Sequence, residues 1–218
     1  HLAGTQIYIP LGKIKKSQVK EVKIVSNTYG YSICISYDNE IDVEPVIDFS
    51  KTSQICGLDI GLNNLSALAS NNPNVNSLII NGCPLKSINQ FYNKKLANLK
   101  SQLPKGVYTS NKIKKLTQKR NNKINDYLHK ASSKVLSFLL KNNIECLIVG
   151  SNKKWKQNIN LGKKTNQNFV SIPYYKYKLM LQYKCKMFGI HFIAREESYT
   201  SKFSFLDTVD IKKHDSYK

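Results

Sequence analysis

The strongest constraint on this chain is a single carboxylate inside an otherwise apolar run. Residues 55–60 read Ile-Cys-Gly-Leu-Asp-Ile, and Gly61 and an Asn pair follow. The run has the length and flanking residues of a buried strand. An acid in such a strand is costly unless a metal or a partner holds it. Gly57 and Gly61 flank Asp59 and permit close approach of a backbone or a ligand. Two readings stand at this point. Asp59 is either a reactive carboxylate or a strand-end acid that bonds a turn.

Before the run, residues 6–11, 19–25 and 31–35 carry strand-like apolar patterns. Asn27 to Gly30 supply a turn, which predicts a hairpin whose loop is a little longer than the tightest type. This segment suits a barrel or sheet fragment, and residues 39–53 read as a linker. After the run, residues 65–69 and 78–80 continue a three-stranded meander. Helical patterns cover 88–103 and 110–142, with Pro104 and Gly106 between them and Ser110 as a cap. Residues 145–149 form a fourth strand, and 151–168 a polar loop. A third helix covers 172–188, with Gly189 past its end. Residues 190–194 are a fifth strand. The order predicts a mixed α/β sheet with helices on both faces.

Charge places the partner surface. The 218 residues hold 34 Lys and Arg against 14 Asp and Glu, a net +20. Residues 1–55 balance six Lys with six acids, whereas 86–144 carry fourteen Lys and Arg and one acid, Asp126. So strong an imbalance on a pair of helices points to a polyanion, and nucleic acid binds by phosphate neutralisation. A solvated lysine face is the alternative. Lys114, Lys115, Lys119, Arg120 and Lys123 are the densest run and the first candidates for phosphate contact. Lys153, Lys154, Trp155 and Lys156 form a second group, in which Trp155 either stacks on a base or anchors its loop. Tyr174, Tyr175, Tyr177 and Tyr183 read as core and rim rather than as a stacking row. His129 reads as a helix-face residue. The five cysteines are widely spaced and lack a Cys-x-x-Cys pair, which favours neither disulfides nor zinc and suits a reducing compartment. No apolar run approaches the ~18 residues of a membrane span.

Three strands, helices, a strand, a helix and a strand is also the RNase H-like layout. Within it, Gly57-Leu58-Asp59-Ile60-Gly61-Leu62-Asn63-Asn64-Leu65 resembles the first RuvC motif of TnpB, the transposon-encoded RNA-guided nuclease family. Asn125 to Lys130, Leu147-Ile148-Val149-Gly150, Tyr183-Lys184 with Gly189-Ile190, and Tyr199-Thr200-Ser201-Lys202 resemble later stretches of the same family. The resemblance spans about residues 10–210. It implies a partial wedge β-barrel over 1–50 and a RuvC-like domain over 55–218, with a basic helical insertion at 86–142. It also implies DNA and a guide RNA as partners, without an obligate protein partner. The implied cofactor is Mg²⁺, and the implied place is the cell interior: cytoplasm, or nucleus in a eukaryote.

The family pattern is broken in three places. The second-motif Glu falls at Gly150, which has no carboxylate. A variant of the family supplies that acid later in the chain, where Glu196 and Glu197 stand, and the spacing to Tyr199 favours Glu197. Both could instead be exposed strand-end acids. The zinc-ribbon cysteines are replaced by Phe203-Ser204-Phe205-Leu206-Asp207, so no zinc is expected. The last catalytic Asp has no counterpart in its usual context, and Leu2 to Leu11 begin in mid-barrel with most of the family's recognition lobe absent, so against the family the chain reads as truncated at both ends. The resemblance therefore implies Asp59 and Glu197 as catalytic metal ligands, with Glu196 as the alternate. A decayed, binding-only protein is the competing reading.

Overall fold

The computed structural model describes residues 8, 10, 14–27, 30–38, 54–150 and 172–195. Strands β1 (Val19–Asn27) and β2 (Gly30–Tyr37) form an antiparallel hairpin after a short 3-10 turn at Lys16–Gln18. Asn27 pairs with Gly30, so only two residues separate the strands, one step tighter than the turn residues had suggested. Val22, Ile24, Tyr31 and Ile33 share one face of this ribbon and are exposed.

The main body is a five-stranded sheet in the order β5-β4-β3-β6-β7. Its strands are β3 (Ile55–Asp59), β4 (Asn64–Ser70), β5 (Leu78–Asn81), β6 (Cys146–Gly150) and β7 (His191–Arg195). β3, β4 and β5 form the antiparallel meander; β6 and β7 run parallel to β3. The connections before β6 and before β7 carry helices, as parallel crossovers require. These are α1 (Cys83–Ser101) and α2 (Asn111–Lys141), then α3 (Tyr174–Met187).

α1 starts five residues earlier than the apolar periodicity suggested. Its first turn is Cys-Pro, which carries no stripe, but Pro84 sits where a missing N–H costs nothing and the Asn81 side chain accepts from the Cys83 N–H at 2.8 Å. Ser110 caps α2 as expected, its hydroxyl accepting from the Ile113 N–H at 3.3 Å. Gly189, with φ +69°, closes α3 in the left-handed conformation that glycine adopts without penalty.

One face of the sheet makes the core. Cys56, Leu58, Ser66, Leu68, Ile80, Leu147 and Val149 point to it and are buried against Leu128, Val135 and Leu139 of α2 and Tyr177, Leu181 and Cys185 of α3. Leu85 of α1 joins the same cluster. The expectation of helices on both faces does not hold among the described residues, because all three helices share this core. The buried Ser66 is paired: it shares a hydrogen bond of 2.8 Å with Tyr177. Lys184 of α3 donates to the Ser132 and Ser133 hydroxyls and to the His129 carbonyl, at 2.7, 2.8 and 3.0 Å, and so pins α3 to α2. His129 is an exposed residue of α2; partial desolvation, then Lys184 and Lys176, hold its imidazole below the usual range. Tyr174 and Tyr177 are core, and Tyr175 and Tyr183 are exposed rim, as the sequence indicated.

The bend after β3 is locked by backbone contacts. The Gly61 N–H donates to the Asn64 carbonyl at 3.0 Å, and the Gly82 N–H to the Asn63 carbonyl at 2.6 Å. A Cβ on Gly82 would lie 2.2 Å from the Leu62 carbonyl oxygen, and one on Gly61 would lie 2.9 Å from that of Asn64. At Gly82 the obstacle is main chain and cannot rotate away. Gly82→Ala should therefore destabilise the fold by about 2 kcal/mol, a drop of about 4–8 °C in melting temperature. Scanning calorimetry of the two proteins checks this; an unchanged melting point would mean that the loop yields freely.

Candidate functional site

Alternation along the strands sends every second side chain to the face that no described helix covers. Gly57 and Asp59 of β3 lie there, with Ala67 and Ala69 of β4, Ile79 of β5, Ile148 and Gly150 of β6, and Arg195 of β7. They line a shallow depression of about 660 Å³. Most are small, so the floor is low and open to solvent. Ile79 is 61% exposed, an apolar side chain left uncovered at the rim.

The register arranges these residues in a row. Asp59 pairs with Ala67, which pairs with Ile79. On the other side Leu58 pairs with Val149 and Gly150 pairs with Arg195. One step beyond the Leu58–Val149 pair, Asp59 stands beside Gly150. Neighbouring strands are about 4.8 Å apart, so Asp59 and Arg195 are about 10 Å apart at the backbone, with only a glycine between. The three strands that contribute Asp59, Gly150 and Arg195 are parallel and end at the same edge of the sheet. Carboxyl ends of parallel strands are where open α/β sheets place their ligands.

Asp59 is exposed and has no hydrogen bond or ion pair with any described residue. The costly burial that its apolar neighbours suggested is avoided: Leu58 and Ile60 turn to the core while Asp59 turns out. Gly61 earns its place by the close approach of Asn64, whereas a Cβ on Gly57 would meet only an ordinary contact. Among the described residues no three His, Cys, Asp or Glu side chains gather in one place. Glu196 and Glu197 lie outside the described residues, as do Lys153, Lys154, Trp155 and Lys156. Asp59 is thus the one nominated carboxylate whose setting is described. That setting, an open carboxylate on a solvated face, is compatible with a hard cation that keeps most of its water.

Sequence reasoning missed Arg195. It reads as the polar end of an apolar strand, and only its register opposite Gly150 reveals that it shares a row with Asp59.

The basic helix also resolves into faces. Lys115, Lys119 and Lys123 follow one another at four-residue steps and, with Gln118 and Asn122, line an exposed strip of α2. Each step rises about 6 Å along the helix. Lys114 is exposed on a different flank. Arg120 turns toward α1, where Asn89 accepts from its Nε and Nη2 at 2.8 and 2.7 Å. Its guanidinium carbon lies 5.6 Å from the Tyr92 ring centre. All five cysteines are free, with Cys56, Cys146 and Cys185 buried. No described helix is long and apolar enough to cross a membrane.

Comparison with known proteins agrees with this architecture. The chain is similar in fold to the solved structure of a Cas12f1–sgRNA–target DNA complex, with TM-score 0.55 and 16% identity over 83% of this chain and 43% of that one. It is similar also to a CRISPR-Cas12f ternary complex, with TM-score 0.53 and 21% identity over 83% of this chain and 36% of that one. The chain thus spans less than half the length of either. No curated protein gives a significant match. The family model OrfB_IS605, described as "Probable transposase", matches residues 33–156, more than half of the chain. The chain therefore belongs to the OrfB_IS605 family and is a TnpB-like, transposase-associated protein.

Proposed function

We propose that this chain is the RuvC-like part of an RNA-guided DNA endonuclease, with an RNase H-like domain over 55–218 and wedge-barrel strands over 1–50. The observation that carries the reading is Asp59. Among the described residues it stands without a hydrogen bond or ion pair, on the open face of the central strand, at the carboxyl edge shared by three parallel strands. Asp59 and Glu197 would hold Mg²⁺, with Glu196 as the alternate ligand. A bound Mg²⁺ supplies water activation and stabilisation of the leaving oxygen at a phosphodiester.

The chain's own residues give the rest of the site. Gly150 removes the side chain between Asp59 and Arg195, so a phosphate can settle on the sheet beside the acid. Arg195 then offers a planar, permanently charged fork to the phosphate oxygens. Glu197 is preferred over Glu196 on alternation: were β7 to run on past Arg195, which is on the open face, it is position 197 that would return to that face. Lys115, Lys119 and Lys123 track a backbone along α2. DNA and a guide RNA are the partners, by analogy with the complexes in which the similar folds were solved.

Gly150 also favours a second reading, a binding-only protein whose nuclease has decayed. Cleavage of labelled DNA separates the two. With Mg²⁺ or Mn²⁺ the chain should cut slowly, and chelation should stop it. Asp59→Ala should reduce the rate at least a hundredfold, and Glu197→Gln should cost far more than Glu196→Gln. Binding without metal-dependent cleavage supports the binder, and cleavage indifferent to Asp59→Ala removes the nuclease site from this sheet.

A further inference from the structure

Away from the sheet, α1 and α2 enclose a notch of about 280 Å³ whose lining is mostly apolar and aromatic and includes three cationic side chains. Ile88, Tyr92 and Leu116 form the floor, and Phe91 stands at its edge, 59% exposed. Lys119 and Lys123 face the same space from α2. Their four-residue spacing puts both ammonium groups on one side of the opening.

Arg120 completes the notch, and the protein fixes it there. Asn89 is 1% exposed and spends its oxygen on two hydrogen bonds from the guanidinium. Among the described residues its own Nδ2 is left buried without a hydrogen-bond partner. A buried amide with an unmet donor is a standing cost that an apolar residue at 89 would avoid. What Asn89 does in return is hold the Arg120 guanidinium over the Tyr92 ring, 5.6 Å from its centre. Tyr92 is held in turn, its hydroxyl sharing a hydrogen bond with Thr117 Oγ1 at 3.1 Å. An anchored guanidinium, a fixed phenol ring and an exposed phenylalanine beside two lysines is the set that takes a flat, anionic ligand.

We infer that this notch receives an unpaired base of single-stranded nucleic acid, stacked on Phe91 beside the Arg120–Tyr92 pair, with the flanking phosphates on Lys119 and Lys123. Charge complementarity selects a polyanion over an apolar peptide as the occupant. The aromatic edge selects a strand whose bases are free, because a duplex keeps its bases stacked on each other. The inference rests on the nucleic-acid reading of α2 but not on catalysis at Asp59.

The test uses the 218-residue chain, a fluorescent oligodeoxythymidylate 20-mer and a blunt 20-base-pair duplex. Phe91→Ala should weaken the single strand about tenfold, the effect of losing one stacked base, and the duplex less than twofold. Phe91→Trp should keep or improve single-strand affinity, and Phe91→Leu should not. Phe91 lies largely in solvent, and unchanged melting of all three variants would show that the fold is intact. Equal losses on both probes, no loss on either, or full binding by Phe91→Leu would each overturn the notch as a base-stacking site. In all three cases salt-sensitive duplex binding by the wild type would leave the wider nucleic-acid reading standing.

Discussion

Binding of duplex DNA by this chain should collapse with salt, by about 500-fold between 50 and 200 mM. Each lysine or arginine that neutralises a phosphate releases counterion and adds about 0.9 to the slope of log affinity against log salt. Five contacts, from Lys115, Lys119 and Lys123 with neighbouring cations of the helical pair, give a slope of about −4.5. A fourfold rise in salt then costs about 500-fold. Lys115→Ala/Lys119→Ala/Lys123→Ala should flatten the slope by about 2.7 while leaving the melting temperature unchanged, since all three side chains are exposed. A Lys114→Ala variant tests the assignment of faces, because Lys114 sits on another flank and should cost no more than one contact. Filter binding at four or five salt concentrations is sufficient. A slope near zero would show that the +20 charge is merely a solubilising surface.

The second large effect is on stability at alkaline pH. Burial pushes the Cys56 thiol up to about 11 and the Cys185 thiol to about 12, and it raises the Tyr177 hydroxyl to about 12 despite the hydrogen bond with Ser66. Cys146 and Tyr174 are raised by burial in the same way. Each group keeps its proton in the folded chain at a pH where the unfolded chain has lost it. Their stabilisation is therefore complete below the ordinary values of 9.0 for a thiol and 10.0 for a phenol. It is lost as pH rises through the folded values. One thiol moved from 9 to 11 contributes on the order of 2–3 kcal/mol. Several such groups in one core rival the whole stability of a domain, about 5–15 kcal/mol. The melting temperature should be flat from pH 7 to 8.5 and fall steeply from pH 9 to 11. Cys56→Ala/Cys185→Ala should melt lower at neutral pH yet lose less on alkalinisation. A melting temperature that stays constant up to pH 11 would mean that these thiols and phenols are not held in the core.

Local pattern accounts for much of the architecture. β3 through β7 and the three helices fall where apolar periodicity placed them, because each spans enough residues for a period of two or of 3.6 to show. The Gly57-Leu58-Asp59-Ile60-Gly61 stretch and its companions carry the family resemblance in the sequence alone. The start of α1 escaped because a Cys-Pro first turn has no apolar period. Arg195 and the notch escaped for a different reason: each depends on a pairing between residues far apart in sequence. Arg195 acquires meaning only opposite Gly150, and Arg120 only against Asn89 and Tyr92 on another helix.

The sequence by itself determined the order of elements, the concentration of positive charge on the paired helices, and the identity of Asp59 as the carboxylate to follow. Tertiary structure alone decided which way Asp59 faces and what stands beside it. Strand register sets both, and register arises from the packing of Cys56, Leu58, Leu147 and Val149 against the helices. A slip of one residue would have turned Asp59 into the core and Leu58 into solvent. The cost of burying that acid, set against the gain of burying those four apolar side chains, puts the carboxylate on the open face.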